Sequence, residues 1–408
     1  MDENKKIDDS LKLIAKSSII VFIGIFLSKV LAFIYRIIIV RYPGFSPDTY
    51  GIFSLVVIII NLIISVVSLG LPGGLLRYVA IYRGKKEVDK IKHIVRFTWI
   101  ITIITSILTT ILVFCFSDFI SISIFHNSDL SYYLKWFSIT IPLTILSSIY
   151  LTIIQAYEKV NWYSFIRNIL VNVVQVIALI LLILVGLSIN AIILSYIFGV
   201  IAMLVSSYYL CRKKLTEIFS KYVINKIEKR KINLELFSYS YPLILSGIVM
   251  FFFTSIDSFV IGYFLDVKMV GIYNAAIPLA ALLTIAPALF IQLFFPLITK
   301  EFATNNIKLI DETSKQVGKW IFLLNLPLLI ILVLFPGAII NLFFGPDYIS
   351  AAQSLRLLSI GTFFFSIFLV SDSLISMAGK SKTVLFNLVI GAIFNFVLDI
   401  ILILFQEL

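Results

Sequence analysis

Long apolar segments recur along almost the whole chain, and they constrain its fold more than any other feature. Short polar junctions separate about eleven such segments, and a helix needs about 20 apolar residues to cross a hydrocarbon core about 30 Å thick. Because lipid offers no partner to backbone N–H and C=O groups, each crossing must be helical. The sequence therefore predicts an all-α polytopic membrane protein with spans at 17–41, 48–80, 93–117, 132–157, 162–187, 189–211, 237–264, 269–299, 317–336, 354–379 and 383–406.

Charged residues are few, and they lie mainly between the apolar segments. The chain is 60% hydrophobic and 13% charged, whereas a soluble domain is about 25% charged. A net charge of +11 is compatible with nucleic-acid binding. The Lys and Arg residues, however, occupy short junctions between spans, as membrane topology requires. We therefore expect membrane lipid, and no nucleic acid, as a partner.

The distribution of Lys and Arg predicts the orientation of the chain. The N-terminal tail and every second junction are basic, most strongly after the sixth span, whereas the alternate junctions hold few such residues. The positive-inside rule places the N-terminus and all the basic junctions in the cytoplasm. We expect a multi-pass protein of the cell membrane. The junction at 212–233 has the composition of an amphipathic interfacial helix that is attracted to anionic lipid.

Weak internal matches in a constant order, at an offset of about 220 residues, indicate a duplication. One pair is Tyr50-Gly51-Ile52-Phe53 and Val270-Gly271-Ile272-Tyr273. An even number of spans per copy gives both copies the same orientation, which predicts two helical lobes related by a parallel repeat. The expected segments are a cytoplasmic tail (1–16), a six-helix lobe (17–211), a basic linker (212–236) and a five-helix lobe that lacks a last helix (237–408).

Several short motifs lie in one order along the chain: Gly24–Arg36, Asp48–Ser54, Gly70–Tyr78, Ser255–Gly262 and Asn395–Asp399. In these motifs the chain resembles the polysaccharide exporter, or oligosaccharide flippase, family. That family belongs to the group that includes the multidrug and toxin extruders and the lipid II flippases. The resemblance implies two six-helix lobes in a V around a central cavity that opens alternately to either side. It also implies export of lipid-linked oligosaccharides.

Two cations in the first span are the main candidates for substrate binding. Lys29 and Arg36 are seven residues apart, so they share one helix face and lie roughly 10 Å apart along the axis. A charge within a span costs about 2.5–3.5 kcal/mol and should therefore face water or a partner. An Arg fork and a mobile Lys ammonium suit a diphosphate. Arg77, at the end of the second predicted span, is the third candidate for binding an anionic headgroup.

Carboxylates within the spans are the candidates for gating or ion coupling. Asp257 is the repeat counterpart of Arg36, and Asp372 lies between two serines in the tenth span. The alternative is that Asp257, Asp372 or Asp399 forms an ion pair with Lys29 or Arg36 and only neutralises a buried charge. Both interpretations remain open at the level of the sequence.

Prolines inside the spans predict breaks in helical hydrogen bonding. A proline removes one N–H donor and clashes with the carbonyl four residues earlier, so it bends a helix. Such bends would let a lobe change shape. The four positions are Pro142, Pro242, Pro278 and Pro287.

No catalytic or cofactor motif is present in the sequence. It has no GxxxxGK[ST], GxSxG or HExxH pattern, and its two cysteines and two histidines are isolated. We therefore expect a protein that is not an enzyme and that has no cofactor and no metal site.

Three functions remain in view. The first is a monomeric flippase that moves an anionic isoprenoid-diphosphate-linked oligosaccharide across the cytoplasmic membrane by alternating access, for polysaccharide or glycan biosynthesis. The second is a cation-coupled multidrug extruder of the same fold, which would need cavity carboxylates to dominate. The third is a non-transporting remnant, because the second lobe is predicted to lack one helix.

Overall fold

The computed structural model describes residues 2–291, 298, 307–377 and 381–406, and side chains are described at 22–291, 298, 307–375 and 383–402. All regular elements in these ranges are helical. The α-helices are Asp2–Arg41, Pro47–Val67, Leu71–Gly84, Val88–Phe119, Asp129–Ser138, Thr140–Ala156, Val160–Ser164, Val171–Leu184, Ser188–Lys214, Lys226–Phe264, Val267–Ala280, Ile307–Leu334, Pro336–Phe343, Ala352–Met377 and Ser381–Gln406. Two π-helical turns (Ile120–Ile124, Phe165–Leu170) and three 3₁₀ turns (Thr216–Phe219, Ala281–Thr284, Pro346–Ala351) join or extend them.

Eleven helical segments of the described residues are long and apolar enough to cross a membrane, which confirms the predicted fold class. Helix starts at Pro47 and Val267, and at Val160 and Ser381, keep the repeat offset of about 220 residues. In chain order, the first to the eleventh span are Phe22–Arg41, Pro47–Val67, Val88–Ile124, Asp129–Ala156, Val160–Leu184, Ser188–Lys214, Lys226–Phe264, Val267–Ile291, Ile307–Leu334, Pro346–Ile375 and Thr383–Leu402.

The second span is shorter than the sequence predicted. The expected segment at 48–80 is two helices, because the chain turns at Leu69 and Gly70, which have φ values of 52° and 62°. Pro72 then stands in the first turn of the helix Leu71–Gly84, where its missing N–H costs no hydrogen bond. Apolar residues continue through this turn, so hydropathy alone did not separate the two helices.

The predicted proline bends differ from one site to the next. Four residues before Pro142, one helix ends at Ser138 and the next begins at Thr140. After Pro278, the helix Val267–Ala280 passes into the 3₁₀ turn Ala281–Thr284. Pro242 lies inside the continuous helix Lys226–Phe264. The eighth span is therefore irregular near its middle, whereas the seventh keeps its helical course.

The basic junction after the sixth span is not one amphipathic helix. The sixth span continues to Lys214, and a 3₁₀ turn at Thr216–Phe219 precedes a stretch without helix. Asn225 then caps the seventh span, since its Oδ1 accepts a hydrogen bond from the backbone N–H of Glu228 at 2.7 Å. The predicted amphipathic helix is therefore wrong, because the two flanking helices take up half of its residues and no α-helix forms between them.

The chain forms two compact units. The first unit contains Met1–Pro47 and Gly271–Ile390. In it, Arg41 at the end of the first span donates to the carbonyl oxygens of Asn341, Leu342 and Phe343. Those carbonyls end the helix Pro336–Phe343 and lack partners within it, so the guanidinium caps that helix.

The second unit contains Asp48–Val270 and Gly391–Leu408. One of its apolar clusters includes Leu71, Leu75, Ile154 and Leu236, which are fully buried. Each unit thus draws helices from both halves of the sequence. The lobe boundaries proposed at 211 and 237 stay a prediction.

Candidate functional site

Lys29 lies within the first span and is half-buried. Its Nζ donates a hydrogen bond to Oγ1 of Thr284 at 2.6 Å, and Thr284 Oγ1 in turn donates to the carbonyl of Ala281 at 2.7 Å. Lys29 therefore has a neutral partner in its unit. A hydroxyl carries no negative charge, so this hydrogen bond does not neutralise a protonated Lys29 as a carboxylate would.

The partner of Lys29 belongs to an irregular part of the eighth span. The 3₁₀ turn Ala281–Thr284 leaves carbonyls that a regular helix would use. Asn325 satisfies one of them, since its Nδ2 donates to the carbonyl of Leu283 at 2.8 Å and to Ser366 Oγ at 2.9 Å. Asn325 and Ser366 are both buried. This polar cluster fixes the position of the turn, and with it the hydroxyl that holds Lys29.

Arg36 is half-buried on the same helix as Lys29. Its position two turns further along confirms that both cations belong to one continuous helix, as the sequence predicted. Within the described residues of the first unit, no hydrogen bond or ion pair occupies its guanidinium. No described residue of the first unit therefore neutralises the charge of Arg36.

Asp257 is grouped with polar residues of the eleventh span. The amide Nδ2 of Asn395 donates to Oδ1 of Asp257 at 3.0 Å. Asp399 follows Asn395 by four residues on the same helix, and its carboxyl interacts electrostatically with that of Asp257. Two neighbouring carboxyl groups in a span cannot both stay charged cheaply.

Arg77 lies on the helix Leu71–Gly84 and is exposed. Its guanidinium carbon is 4.2 Å from the centre of the Tyr239 ring and 6.0 Å from that of Tyr78. Such stacking orients the guanidinium and leaves its N–H donors available. The geometry is compatible with an anion-binding role, but Arg77 lies on a separate helix beyond the second span, which ends at Val67, and not at the end of that span as predicted.

Asp372, the other candidate for ion coupling, is half-buried in the tenth span. The structure groups the predicted residues only in part. Lys29 and Arg36 share a helix in the first unit, and Asp257 lies beside Asp399 in the second unit. No group of three His, Cys, Asp or Glu side chains gathers anywhere in the described ranges.

Four neighbours of the candidate residues were missed or undervalued by sequence reasoning. Thr284 is 255 residues away from Lys29, and nothing in the local sequence links the two. Asn325 likewise carries no signal beyond being a polar residue in an apolar span. Asn395 and Asp399, in contrast, have the i, i+4 spacing that places two side chains on one helix face, and this signal is visible in the sequence.

Comparison with known families gives two overlapping matches. The profile of the family described as polysaccharide biosynthesis protein matches residues 14–302, and the MatE profile matches residues 242–401. The first match covers well over half of the chain. The second covers most of the second half, including Asp257, Asp372 and Asp399.

Individual relatives agree with these families. An uncharacterized membrane protein of Methanocaldococcus jannaschii is 24% identical over 93% of this chain and 76% of its own length. A putative O-antigen transporter of Shigella flexneri is 27% identical over 83% of this chain and 79% of its own length. The solved lipid II flippase MurJ, in an inward closed conformation, is 17% identical and superposes with a TM-score of 0.71 over 94% of this chain and 81% of that chain.

The solved structure shows the likeness of the fold, and the family profile shows the family. The eleven apolar helices of the described residues agree with a multi-pass membrane protein. The chain belongs to the polysaccharide biosynthesis family of membrane transporters, within the superfamily of polysaccharide exporters, lipid flippases and multidrug extruders.

Proposed function

We propose that this transporter moves an anionic lipid-linked oligosaccharide across the cell membrane by alternating access, with Lys29, Arg36 and Arg77 binding the headgroup. The observation that carries the proposal is the state of Lys29. It is half-buried in a span, and its hydrogen-bond partner is a neutral hydroxyl and not a carboxylate. A cation in an apolar helix is costly unless an anion or water stabilises it. The diphosphate of an isoprenoid diphosphate is such an anion.

The membrane potential favours the proposed direction of transport. With the cytoplasm negative, outward movement of an anion releases about 2.3 kcal/mol per charge per 100 mV. A headgroup that carries about two negative charges would therefore gain roughly twice that amount. The N-terminus lies in the cytoplasm in this scheme, as the positive-inside rule predicts.

Related proteins support this substrate class. The Shigella flexneri relative is a putative O-antigen transporter, and the MurJ relative of Bacillus subtilis is a lipid II flippase that is 24% identical over 43% of this chain. Both names refer to glycan-bearing molecules. We carry this class of substrate over to the present chain as a proposal, on the strength of the two cations in the first span.

The proposed function is tested by translocation in proteoliposomes. A fluorescent isoprenoid-diphosphate oligosaccharide is reconstituted with the purified protein, and a membrane-impermeant quencher reports which leaflet holds it. We expect movement to the second leaflet, faster when the potential is positive on that side. A cationic dye in the same liposomes is the control. Transport of the dye and not of the glycolipid would refute the proposal and favour a drug extruder.

The carboxylates beside Asn395 make ion coupling the natural second part of the mechanism. We propose that Asp257, with Asn395 and Asp399 as neighbours, takes up the coupling proton or cation, and that Asp372 is a second candidate. Protonation of a shared carboxyl pair changes its net charge by one, which alters the cost of holding it within a span. Coupling would then link this charge to the opening and closing of the transporter.

Asp257→Asn is expected to remove the response to an ion gradient. The amide keeps the shape of the side chain but cannot bind a proton or a cation in the same way. We expect transport rates with and without an imposed proton or sodium gradient to become equal, at an unchanged affinity for the glycolipid. Asp311 is an exposed residue that forms an ion pair with Lys315, and Asp311→Asn is the matched control. A gradient response as large as in the wild type would exclude Asp257, and Asp372→Asn then tests the other candidate.

A further inference from the structure

A cavity of about 300 Å³ lies in the second unit, beside the basic junction that follows the sixth span. None of the candidate site residues described above lines it. One wall is the start of the third span, another is the 3₁₀ turn of the basic junction, and the fourth and sixth spans contribute one tyrosine each. The residues that the argument uses are Lys92, Arg96, Trp99, Tyr150, Tyr208 and Phe219.

We infer that this cavity binds the phosphate and glycerol of an anionic phospholipid, through Lys92 and Arg96. These two residues are one helical turn apart on the third span, so their side chains are neighbours. Like charges at this spacing destabilise a helix. A phosphate between the two side chains would turn that repulsion into two charge-assisted hydrogen bonds.

The two cations are positioned in different ways. The Lys92 side chain is 12% exposed, with its Nζ 3.1 Å from Asp89 and 3.4 Å from the carbonyl of Lys221. It is therefore held in place by the same junction that forms the cavity wall. Arg96 is exposed, so its guanidinium is free to adjust to a ligand. One fixed and one adjustable cation suit an oxyanion that enters from the membrane surface.

The other walls of the cavity are aromatic. The rings of Tyr150 and Tyr208 are 5.5 Å apart, and those of Tyr208 and Phe219 are 6.2 Å apart, both edge to face. The Trp99 indole lines the same cavity as Tyr150. Aromatic residues with one polar end are typical of the level at which lipid headgroups meet acyl chains.

The same helix offers a path for the acyl chains. Beyond Trp99, toward the middle of the span, Ile100, Ile104 and Ile107 are 44%, 60% and 50% exposed. The order along the helix is thus cation, aromatic ring and exposed aliphatic face, which is the order of groups in a phospholipid. The cavity volume is at the lower end of the range for small-molecule sites, about 300–1,000 Å³. It suits a headgroup whose chains remain outside.

Titration of the full chain in detergent with phospholipid, monitored by native mass spectrometry, tests the inference. We expect phosphatidylglycerol to bind the wild type, and Lys92→Ala with Arg96→Ala to weaken the apparent Kd at least tenfold. Phosphatidylcholine should bind more weakly than phosphatidylglycerol. Lys85→Ala with Lys226→Ala removes two exposed cations outside the cavity and should leave the Kd unchanged.

Two further arms separate the sources of phosphate and the effects on folding. Glycerol 3-phosphate and inorganic phosphate should compete only at concentrations far above that of the lipid, because they lack chains. Competition at equal concentrations, or equal lipid binding by all three proteins, would overturn the inference. If the double variant unfolds in detergent, Arg96→Gln alone should still weaken lipid binding several-fold. A Kd of this single variant equal to that of the wild type would also overturn the inference.

Discussion

Replacement of both Lys29 and Arg36 by alanine is expected to abolish translocation of the lipid-linked oligosaccharide. Each cation would contribute about 1.5–3 kcal/mol through hydrogen bonds to a charged diphosphate. Loss of both should weaken binding by at least a hundredfold, since 1.4 kcal/mol corresponds to a factor of ten. The liposome assay measures the rate, and binding of the fluorescent glycolipid to the detergent-solubilised protein measures the affinity.

The control for this double variant is Lys315→Ala with Lys319→Ala. Both residues are exposed in the first unit, so the control removes the same charge from the same unit outside the proposed site. It should transport as the wild type does. A Lys29, Arg36 double variant that transports at the control rate would contradict the site, and it would leave the family assignment untouched.

Thr284→Val tests whether binding of the glycolipid depends mainly on the charge of Lys29 or on its hydrogen bond to Thr284. Valine has nearly the shape of threonine but no hydroxyl, so the Lys29 ammonium loses its neutral partner. If Thr284 only positions the ammonium, affinity for the glycolipid should fall by several-fold and not by a hundredfold. The residual transport would show that the charge of Lys29, and not its hydrogen bond, is the main requirement.

The fold class could be predicted from the sequence because lipid imposes a simple length and hydropathy rule on each crossing. All eleven crossings obey that rule, and their basic junctions are regularly spaced. The break at Leu69 and Gly70 was missed because apolar residues continue through it, although Gly70 and Pro72 are typical of a turn that precedes a helix. Local irregularity is therefore poorly visible to a rule based on mean hydropathy.

The candidate site was predictable only at the level of individual charges. Lys29 and Arg36 stand out because charges in a span are rare and share one face at a spacing of seven. Their surroundings depend on tertiary packing, and the Thr284 hydroxyl reaches Lys29 only because the eighth span leaves the α-helical course at Ala281–Thr284. Proline at 278 indicated a bend in this span but not the side chain that the bend would present.

The turn at Gly70 should be the position in the second unit where a single methyl group costs most. Gly70 has a φ of 62°, and a β-carbon there would collide with the backbone carbonyl oxygen of Ser240 and lie 3.0 Å from the Cβ of Leu243. Left-handed φ costs a non-glycine residue roughly 1–2 kcal/mol, and overpacking costs about 1–3 kcal/mol more. We expect Gly70→Ala to lower the free energy of unfolding by about 3 kcal/mol.

Thermal unfolding in detergent measures this effect as a lower midpoint. Gly44→Ala is the matched control, because Gly44 has a φ of 99° but nothing within 4 Å of its would-be β-carbon. The control therefore carries the backbone strain without the collision, and it should lower the midpoint less. Equal shifts in the two variants would show that the turn does not pack against the seventh span as described. A larger shift for Gly70→Ala would support the close approach of the turn to Ser240.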